Sequence, residues 1–190
     1  MRAGKLLLVT GGARCGKSTF AENYAETSGR EVVYVATCQG LDQEMKGRIA
    51  AHRRSRPSTW LTVEEHFLLD KVLLRYGRSL KRLLLVDCLT LWLTNVLLER
   101  VGFDGERLAD EQVGQVVFDY ILARAKNIAT LAAKVPAEVV LVTNEVGWGL
   151  VPENRLARLY RDLAGKVNQV FAAEADEVYM LVAGLPLRLK

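Results

Sequence analysis

Two hydrophobic patterns alternate along the chain. Short, nearly continuous apolar runs are typical of buried β-strands, and the longer segments between them repeat apolar residues every three or four positions, as helices do. The runs predict strands at 6–10, 31–36, 83–87, 138–143 and 178–182, with shorter strands at 58–63 and 187–189. The periodic segments predict helices at 17–27, 41–54, 66–75, 89–99, 110–134 and 153–173, with an exposed loop at 103–110.

This order of elements predicts an α/β fold. Strands that are apolar throughout and separated by helices form a mostly parallel central sheet with helices on both faces. Right-handed crossovers make such a sheet doubly wound, and its ligands bind at the carboxyl ends of the strands. With 190 residues, half of them hydrophobic, the chain suits a single domain over 1–190.

Composition narrows the class of protein. The longest apolar stretch, 83–98, is interrupted by polar residues and is shorter than the roughly 18 residues that span a bilayer, so no membrane span is expected. The N-terminal apolar segment is too short for a signal peptide. The three cysteines, Cys15, Cys38 and Cys88, form no Cys-x-x-Cys pair, which disfavours a zinc ribbon or a disulfide framework. Free thiols favour the reducing cytoplasm.

The charge balance is mildly basic. A net charge of +4 and an isoelectric point near 9 fit a polyanionic ligand such as a nucleotide. They would also fit nucleic acid, or a basic surface without functional meaning. The chain has no basic tract interleaved with aromatic residues, so nucleic acid is not an expected partner.

The segment after the first predicted strand has the spacing of a phosphate-binding loop, Gly-x4-Gly-Lys-Ser, and it opens the first predicted helix. The glycines of such a loop let successive backbone N–H groups point at a phosphate, and the helix N-terminus adds partial positive charge. Lys17, a candidate catalytic residue, can reach the β- and γ-phosphates of ATP or GTP, and the Ser18 hydroxyl can ligate Mg²⁺. The loop consists of Gly11, Gly12, Ala13, Arg14, Cys15, Gly16, Lys17 and Ser18.

A phosphate loop of this kind requires a carboxylate at the end of another apolar strand. Asp87 ends the run Leu-Leu-Leu-Val-Asp and is the candidate that would hold Mg²⁺, directly or through water. The alternative is that Asp87 caps the helix that follows it.

One of the two histidines lies in a cationic cluster. His52 is preceded by Arg48 at helical spacing and followed closely by further arginines before Pro57. Neighbouring cations disfavour protonation of an imidazole, and a neutral imidazole is a nucleophile that can attack a phosphate held by those arginines. The alternative is that His52 packs on the helix face of Met45 and the arginines are merely solvated. The second histidine, His66, is interpreted as structural.

Several sequence blocks, in addition to the phosphate loop, resemble one enzyme family. The chain is similar over nearly its whole length to the bifunctional adenosylcobinamide kinase / adenosylcobinamide-phosphate guanylyltransferase family of cobalamin synthesis. The blocks lie at 9–14, 16–18, 34–37, 42–45, 48–57, 142–147, 151–155, 161–165 and 167–169. The resemblance implies a three-layer P-loop NTPase (RecA-like) fold.

The resemblance also implies two reactions. In the first, ATP or GTP gives its γ-phosphate to the hydroxyl of the aminopropanol arm of adenosylcobinamide. In the second, a histidine attacks the α-phosphate of GTP, expels pyrophosphate and carries GMP to adenosylcobinamide phosphate, which yields adenosyl-GDP-cobinamide. His52 stands at the position of the family's guanylylated histidine. The family forms trimers, so a homotrimer is expected.

The family's nucleotide contacts correspond, outside the phosphate loop, to residues in four parts of this chain. They are Ala36, Thr37, Cys38, Arg53, Arg54, Ser55, Arg56, Glu64 and Asp87. Cys15 and Cys38 replace the usual serines. Cys15 contributes mainly its backbone N–H, so activity should survive this replacement. If the side chain of residue 38 bonds the nucleotide, the Cys38 thiol makes a weaker hydrogen bond than a serine would, which affects nucleotide affinity rather than the reaction class.

The segment after the fifth main strand leaves several interpretations open. Asn144 and Glu145 either position the substrate hydroxyl or a water, or form a turn held by side-chain bonds. Gly147 and Gly149 indicate either a mobile loop or the close approach of a ligand. Trp148 either faces a corrinoid or packs against the protein.

Two other functions are compatible with parts of the sequence. A plain small-molecule kinase would use the phosphate loop and Asp87 while His52 is inert. A nucleotide-gated binding protein would act on nucleic acid or on another protein, and would show strongly salt-dependent polynucleotide binding.

Overall fold

A computed structural model of the protein describes residues 4–40, 43, 47, 56–102, 105, 107 and 111–190. The predicted helix at 41–54 and the predicted loop at 103–110 lie largely outside the described residues. The strands are β1 (Leu6–Gly11), β2 (Glu31–Ala36), β3 (Leu61–Glu64), β4 (Arg82–Asp87), β5 (Glu138–Val142), β6 (Glu177–Val182) and β7 (Leu185–Arg188). The helices are α1 (Lys17–Thr27), α2 (Leu69–Tyr76), α3 (Leu89–Val101), α4 (Glu111–Lys134) and α5 (Arg155–Glu174).

All these strands belong to one sheet, in the order β3-β2-β4-β5-β1-β6-β7. Neighbouring strands are parallel from β3 to β6, and β7 pairs antiparallel with β6. The register pairs Val142 of β5 with Val9 on one side and with Asp87 on the other. The carboxyl ends of β1, β5 and β4 therefore meet side by side at one edge of the sheet.

Alternate residues of the central strands pack into two separate cores. On β1, Leu7 and Val9 contribute to the core beneath α1, whereas Leu6 and Leu8 contribute to the core that α2 to α5 cover. The second core is the larger and contains the fully buried Trp92 of α3. Helices on both faces of a mostly parallel sheet confirm the predicted three-layer α/β architecture. No helix in the described part of the chain has both the length and the apolar composition of a bilayer-spanning segment.

The prediction for the start of α2 was wrong by three residues. The helix begins at Leu69 rather than at His66. The Glu65 carboxylate accepts hydrogen bonds of 2.9 Å from the backbone N–H groups of both Phe67 and Leu68. These bonds form a turn before the helix, because a carboxylate that holds two successive N–H groups competes with helical geometry.

The two short edge strands also differ slightly from prediction. β3 begins later than predicted, because the chain before it turns on a 3.1 Å hydrogen bond from the Trp60 N–H to the Pro57 carbonyl. β7 begins earlier, because β6 turns back through Ala183 and Gly184, whose φ angles are 52° and 83°. A two-residue turn with positive φ at both positions matches the twist of an antiparallel hairpin.

A cluster of charged side chains lies at the edge of the sheet where β1, β5 and β6 begin. The Lys5 ammonium lies 2.9 Å from Glu177 Oε2 and donates to the Tyr24 hydroxyl at 3.2 Å. Tyr24 donates in turn to Glu138 Oε1 at 2.5 Å, and Arg188 Nη2 lies 3.4 Å from Glu177 Oε1. The cluster links the start of β1 to α1, β5, β6 and β7. The hydrogen bond from Lys5 holds the pKa of the Glu177 carboxyl below its usual value.

Glu177→Gln should therefore destabilise the protein in a pH-dependent way. A carboxyl whose pKa is lower in the folded state stabilises the fold above its unfolded pKa of about 4.3, and the stabilisation is lost as the pH falls through the folded pKa. We expect the variant to lower the Tm by up to about 2 °C near pH 7, because the pair is partly solvated. Thermal unfolding from pH 7 down to pH 3 measures the difference, which should shrink with acidification. The exposed Glu174→Gln is the control, and an equal effect of both variants would contradict the assignment.

Candidate active site

The segment between β1 and α1 wraps tightly around an open space at the sheet edge. Gly11 has φ 142°, and a Cβ there would lie 2.6 Å from the Leu181 carbonyl oxygen and 2.8 Å from Cys15 Sγ. Gly16 has φ 98°, and a Cβ there would approach the Cα of Gly184 to 3.2 Å. The N–H of Gly184 donates to the Cys15 carbonyl at 2.9 Å. The loop is therefore braced from outside by the β6–β7 turn, and both positions require glycine.

Lys17, the first residue of α1, is buried within this loop. Its side chain bends back so that Nζ donates to the Gly12 carbonyl at 2.5 Å and lies 3.7 Å from Cys15 Sγ. The whole residue is only 7% exposed. An ammonium held in this way places a positive charge at the centre of the loop, beside the N-terminus of α1, where an anion is favoured.

Asp87, at the end of β4, is oriented by a tyrosine. The hydroxyl of Tyr34 on β2 donates to Asp87 Oδ2 at 2.7 Å. Burial, reinforced by the charge of Asp87, raises the pKa of the Tyr34 hydroxyl, so it stays a proton donor. The residue that caps α3 is Cys88, with no side-chain cap bond, so the alternative that Asp87 caps this helix is wrong.

Arg56 adds a second cation to the same region. Its guanidinium carbon lies 3.3 Å from the centroid of the Tyr34 ring, a stacked cation–π contact. Its side chain is only 8% exposed, and its Nε lies 3.9 Å from Glu22 Oε1. Tyr34 therefore contacts both charges, Asp87 through its hydroxyl and Arg56 through its ring face. Sequence reasoning missed Tyr34, because the residue lies within an apolar strand run and its partners are distant in the chain.

These groups surround one cavity of about 460 Å³. Ten of the predicted site residues line it: Arg14, Cys15, Gly16, Lys17, Ser18, Ala36, Cys38, Arg56, Glu64 and Asp87. Gly11, Gly12 and Ala13 belong to the loop but not to the cavity wall. Cavity residues that were not predicted include Tyr34, Thr62 and Leu91. His52, Arg53, Arg54 and Ser55 lie outside the described residues.

Thr37 lies beneath the cavity rather than in its wall. It is fully buried, and its hydroxyl accepts from the Cys88 N–H and donates to the Cys88 carbonyl, both at 2.8 Å. Its own carbonyl oxygen accepts from Asn95 Nδ2 at 2.8 Å and lies 3.2 Å from His66 Nδ1. The half-buried His66 thus contacts the backbone beneath the site. Burial, reinforced by the charge of Asp87, raises the pKa of the Cys88 thiol to about 11, which keeps it neutral.

A second polar network holds the end of β5 against the phosphate loop. Glu145 Oε1 accepts from the Thr10 hydroxyl at 3.0 Å and from Asn168 Nδ2 at 2.9 Å, while the Glu145 N–H donates to the Gly11 carbonyl at 3.0 Å. Asn168, on α5, also accepts from the Thr143 hydroxyl at 2.7 Å. Side-chain bonds therefore hold the Asn144–Glu145 segment, and Asn144 in addition lines the cavity.

This arrangement defines the class of protein. A glycine-bounded loop between a buried strand and a helix, a lysine folded into it, and a carboxylate at the end of a second parallel strand are together the arrangement of a P-loop NTPase, here on a three-layer α/β fold. The described part of the chain thus contains a nucleotide-binding enzyme fold.

Comparison with known proteins identifies the family. Residues 7–189 match the model of the family described as cobinamide kinase / cobinamide phosphate guanyltransferase, and the chain belongs to this family. It is 44% identical over 185 residues to the bifunctional adenosylcobalamin biosynthesis protein CobU of Escherichia coli, covering 97% of this chain and 99% of that protein. It is 43% identical over 185 residues to the protein CobP of Pseudomonas aeruginosa, also named bifunctional, covering 96% of each.

The chain is also similar to two further proteins. CobU of Salmonella typhimurium, again named a bifunctional adenosylcobalamin biosynthesis protein, is 42% identical over 186 residues, covering 97% of this chain and 99% of that protein. Among solved structures, the crystal structure of the RadB recombinase aligns with 94% of this chain and 74% of that chain, with a TM-score of 0.46 and 16% identity.

Asn168→Ala should measure the contribution of the β5 network. The side chain is buried and bonds three partners, Thr143, Asn144 and Glu145. Its removal leaves buried polar groups without their partner, which should lower the free energy of unfolding by about 2–3 kcal/mol. Urea denaturation gives this value. The neighbouring exposed Gln169→Ala is the matched control and should change stability by less than about 0.5 kcal/mol.

Proposed function

We propose that this enzyme phosphorylates the aminopropanol hydroxyl of adenosylcobinamide and then transfers GMP from GTP to the resulting phosphate through His52. The two activities, cobinamide kinase and cobinamide phosphate guanylyltransferase, are those of the family to which the chain belongs. The observation that carries the proposal is the full-length family match, combined with a cavity that gathers Lys17, Asp87 and Arg56. The match favours the bifunctional enzyme over the plain kinase.

In the kinase step the acceptor hydroxyl oxygen attacks the γ-phosphorus of ATP or GTP. A P–O bond to the acceptor forms, the bond to the β-phosphate oxygen breaks, and the hydroxyl proton is released. Charge builds up on the β–γ bridging oxygen and on the γ-phosphoryl oxygens. We assign Lys17 to neutralise this charge, since its buried ammonium lies inside the loop whose N–H groups would hold the phosphates.

Ser18 and Asp87 fit a Mg²⁺ ion bound together with the nucleotide. A hydroxyl and a carboxylate are the hard oxygen donors that Mg²⁺ prefers, and both line the same cavity. The described residues contain no group of three or more His, Cys, Asp or Glu side chains that could hold a metal. That is compatible with Mg²⁺, which usually takes one or two protein ligands together with phosphates and water. When bound, the ion would neutralise phosphate charge.

In the guanylyl step we assign His52 as the nucleophile. The imidazole nitrogen attacks the α-phosphorus of GTP, a P–N bond forms, and pyrophosphate leaves. A phosphate oxygen of adenosylcobinamide phosphate then attacks the same phosphorus, and the P–N bond breaks, which regenerates the histidine. Arg53, Arg54, Ser55 and Glu64 are the proposed further nucleotide contacts. Arg56 supports this assignment, because its buried guanidinium, stacked on Tyr34, supplies a cation to the cavity wall.

We also infer, from the family resemblance alone, that the protein is a homotrimer. Its proposed location is the cytoplasm, because the spacing of its three cysteines does not indicate the disulfide framework of a secreted protein, and its proposed domain organisation is a single domain over residues 1–190. The described residues are compatible with one domain, since all their strands belong to one sheet.

A labelling experiment tests the guanylyl step. Incubation with α-³²P-GTP should leave a denaturation-resistant, acid-labile label on the protein, as expected for a P–N bond. The label should be lost in His52→Ala and kept in His66→Ala, which removes the only other histidine. An unlabelled wild-type protein that still phosphorylates adenosylcobinamide would instead identify a plain kinase.

Tyr34→Phe tests the orientation of Asp87. The variant keeps the ring that carries Arg56 but removes the hydroxyl that donates to Asp87. Loss of a group that orients a metal ligand typically weakens metal binding by at least tenfold, so we expect the Mg²⁺ concentration for half-maximal kinase rate to rise about tenfold. Titration of the kinase rate with Mg²⁺ measures this shift.

The matched control for that titration is Tyr24→Phe. It removes a hydroxyl that also bonds a carboxylate, Glu138, but at the opposite edge of the sheet. It should lower stability without changing the Mg²⁺ dependence. The same Mg²⁺ dependence in Tyr34→Phe and in the wild type would contradict the role of Asp87 as a metal ligand oriented by Tyr34.

A further inference from the structure

The loop from Glu145 to Glu153, between β5 and α5, presents apolar side chains to solvent. The seven residues between the two glutamates are Val-Gly-Trp-Gly-Leu-Val-Pro, without a charged side chain. Trp148 is 76% exposed, Leu150 97% and Val151 65%. Large apolar side chains grouped in this way are unusual on a protein surface and mark sites where something binds. We call residues 146–152 the apolar loop.

Both ends of the apolar loop are fixed to the protein. At its start, the N–H of Glu145 donates to the Gly11 carbonyl, which ties the loop to the end of β1. At its end, Arg158 Nη1 donates to the Pro152 carbonyl at 3.0 Å, and the Asn154 side chain caps α5. The exposed residues thus lie at the centre of a segment whose two ends are held, which is the geometry of a binding loop on a rigid support.

The loop directly follows a residue of the cavity wall. Asn144, immediately before Glu145, lines that cavity. β5 lies between β1, which leads into the phosphate loop, and β4, which ends at Asp87. The apolar loop therefore begins two residues beyond the cavity wall, at the edge of the sheet where the phosphate loop and Asp87 face each other. An acceptor that offers a hydroxyl to a bound triphosphate has to approach this edge of the sheet.

Packing within the protomer does not account for the composition of the loop. A Cβ added at Gly147 or Gly149 would meet no atom within 4 Å, so neither glycine serves close packing among the described residues. The two glycines flank Trp148, which gives its backbone freedom to adjust to a ligand. Of the two interpretations that the sequence left open for Trp148, packing against the protein is wrong, because three-quarters of the side chain is exposed.

We propose that the apolar loop binds the corrin macrocycle of the acceptor, with the ring against Trp148 and Leu150 and the aminopropanol arm directed past Asn144 into the cavity. This proposal rests on the proposed function, which supplies the acceptor. A corrin ring is broad, and between its peripheral amides it presents methyl groups and the apolar plane of the macrocycle, so an exposed tryptophan and leucine on an uncharged segment match that apolar part of its surface. In this proposal the phosphate loop binds the polyanionic donor, and the apolar loop contacts the apolar part of the acceptor.

The test uses the double variant Trp148→Ala/Leu150→Ser in the full chain. We expect the Kd for adenosylcobinamide, measured by titration calorimetry, to rise at least about tenfold, since an aromatic and a leucine side chain lose their contact area. The KM for adenosylcobinamide should rise in parallel, while the KM for the nucleotide stays within about twofold. Trp148→Phe, which keeps an aromatic ring, should recover part of the affinity. Leu80→Ser is the matched control, since Leu80 is 60% exposed and precedes β4 at the opposite edge of the sheet.

The other outcomes overturn the proposal in distinguishable ways. If the double variant binds adenosylcobinamide as tightly as the wild type and the wild type phosphorylates it, the proposed function stands and the docking site is wrong. If the double variant changes the number of subunits measured by analytical ultracentrifugation, the apolar loop is covered by a second copy of the chain rather than by the acceptor. If the wild type neither binds nor phosphorylates adenosylcobinamide, the proposed function and the docking site fail together.

Discussion

The insertion of β5 between β1 and β4 is the constraint on which the active site depends. Neighbouring strands lie roughly 4.8 Å apart, so the strand that leads into the phosphate loop and the strand that ends at Asp87 are separated by about 10 Å. The register keeps Val9, Val142 and Asp87 on one rung, so the phosphate loop and the carboxylate face each other across the end of β5. Under the proposed function, a triphosphate and its cation would lie in this gap, between Lys17 and Asp87. The same insertion places the residues that follow β5, from Asn144 onward, at this edge of the sheet, where the proposed acceptor would approach.

Buried side chains hold the loops at this edge, where the hydrogen bonds of the sheet end. Backbone groups that leave a parallel sheet need other partners, because they are too buried to be solvated. The Thr37 hydroxyl is the hydrogen-bond partner of the Cys88 backbone. Asn168 bonds the backbone at the end of β5, and the Glu145 N–H bonds the backbone at the start of the phosphate loop. Tyr34 holds the two charged side chains of this region. Its hydroxyl donates to Asp87 and its ring face contacts Arg56, so it lies between the two charges. The phosphate loop and Asp87 are therefore held by buried side chains, whereas Trp148, on the loop after β5, is exposed to solvent.

Sequence reasoning succeeded where the determining pattern is local. The phosphate loop has a spacing that fits within eight residues, and the neighbouring strand and helix patterns supply its context. Asp87 followed from one apolar strand and from the chemical need for a carboxylate. Tyr34 and Asn168 were missed, since Tyr34 bonds a residue 53 positions away and Asn168 bonds one 23 positions away. Both residues lie in blocks that resemble the family, but their local hydrophobic patterns are those of an ordinary strand tyrosine and helix asparagine, and so predict no role for either side chain.

The sequence by itself determined the α/β order of elements, the phosphate loop with Lys17 and Ser18, and the resemblance that made His52 the candidate nucleophile. These depend on hydrophobic period and short spacings, which local chain geometry turns directly into structure. The tertiary structure alone decided the strand order, the hydrogen bond that turns Asp87 toward Tyr34, the stacking of Arg56 on the same ring, and the exposure of Trp148. Each of these is set by which strands pair and which side chains then meet across the sheet. Such contacts join residues far apart in the chain, and no local pattern encodes their distance.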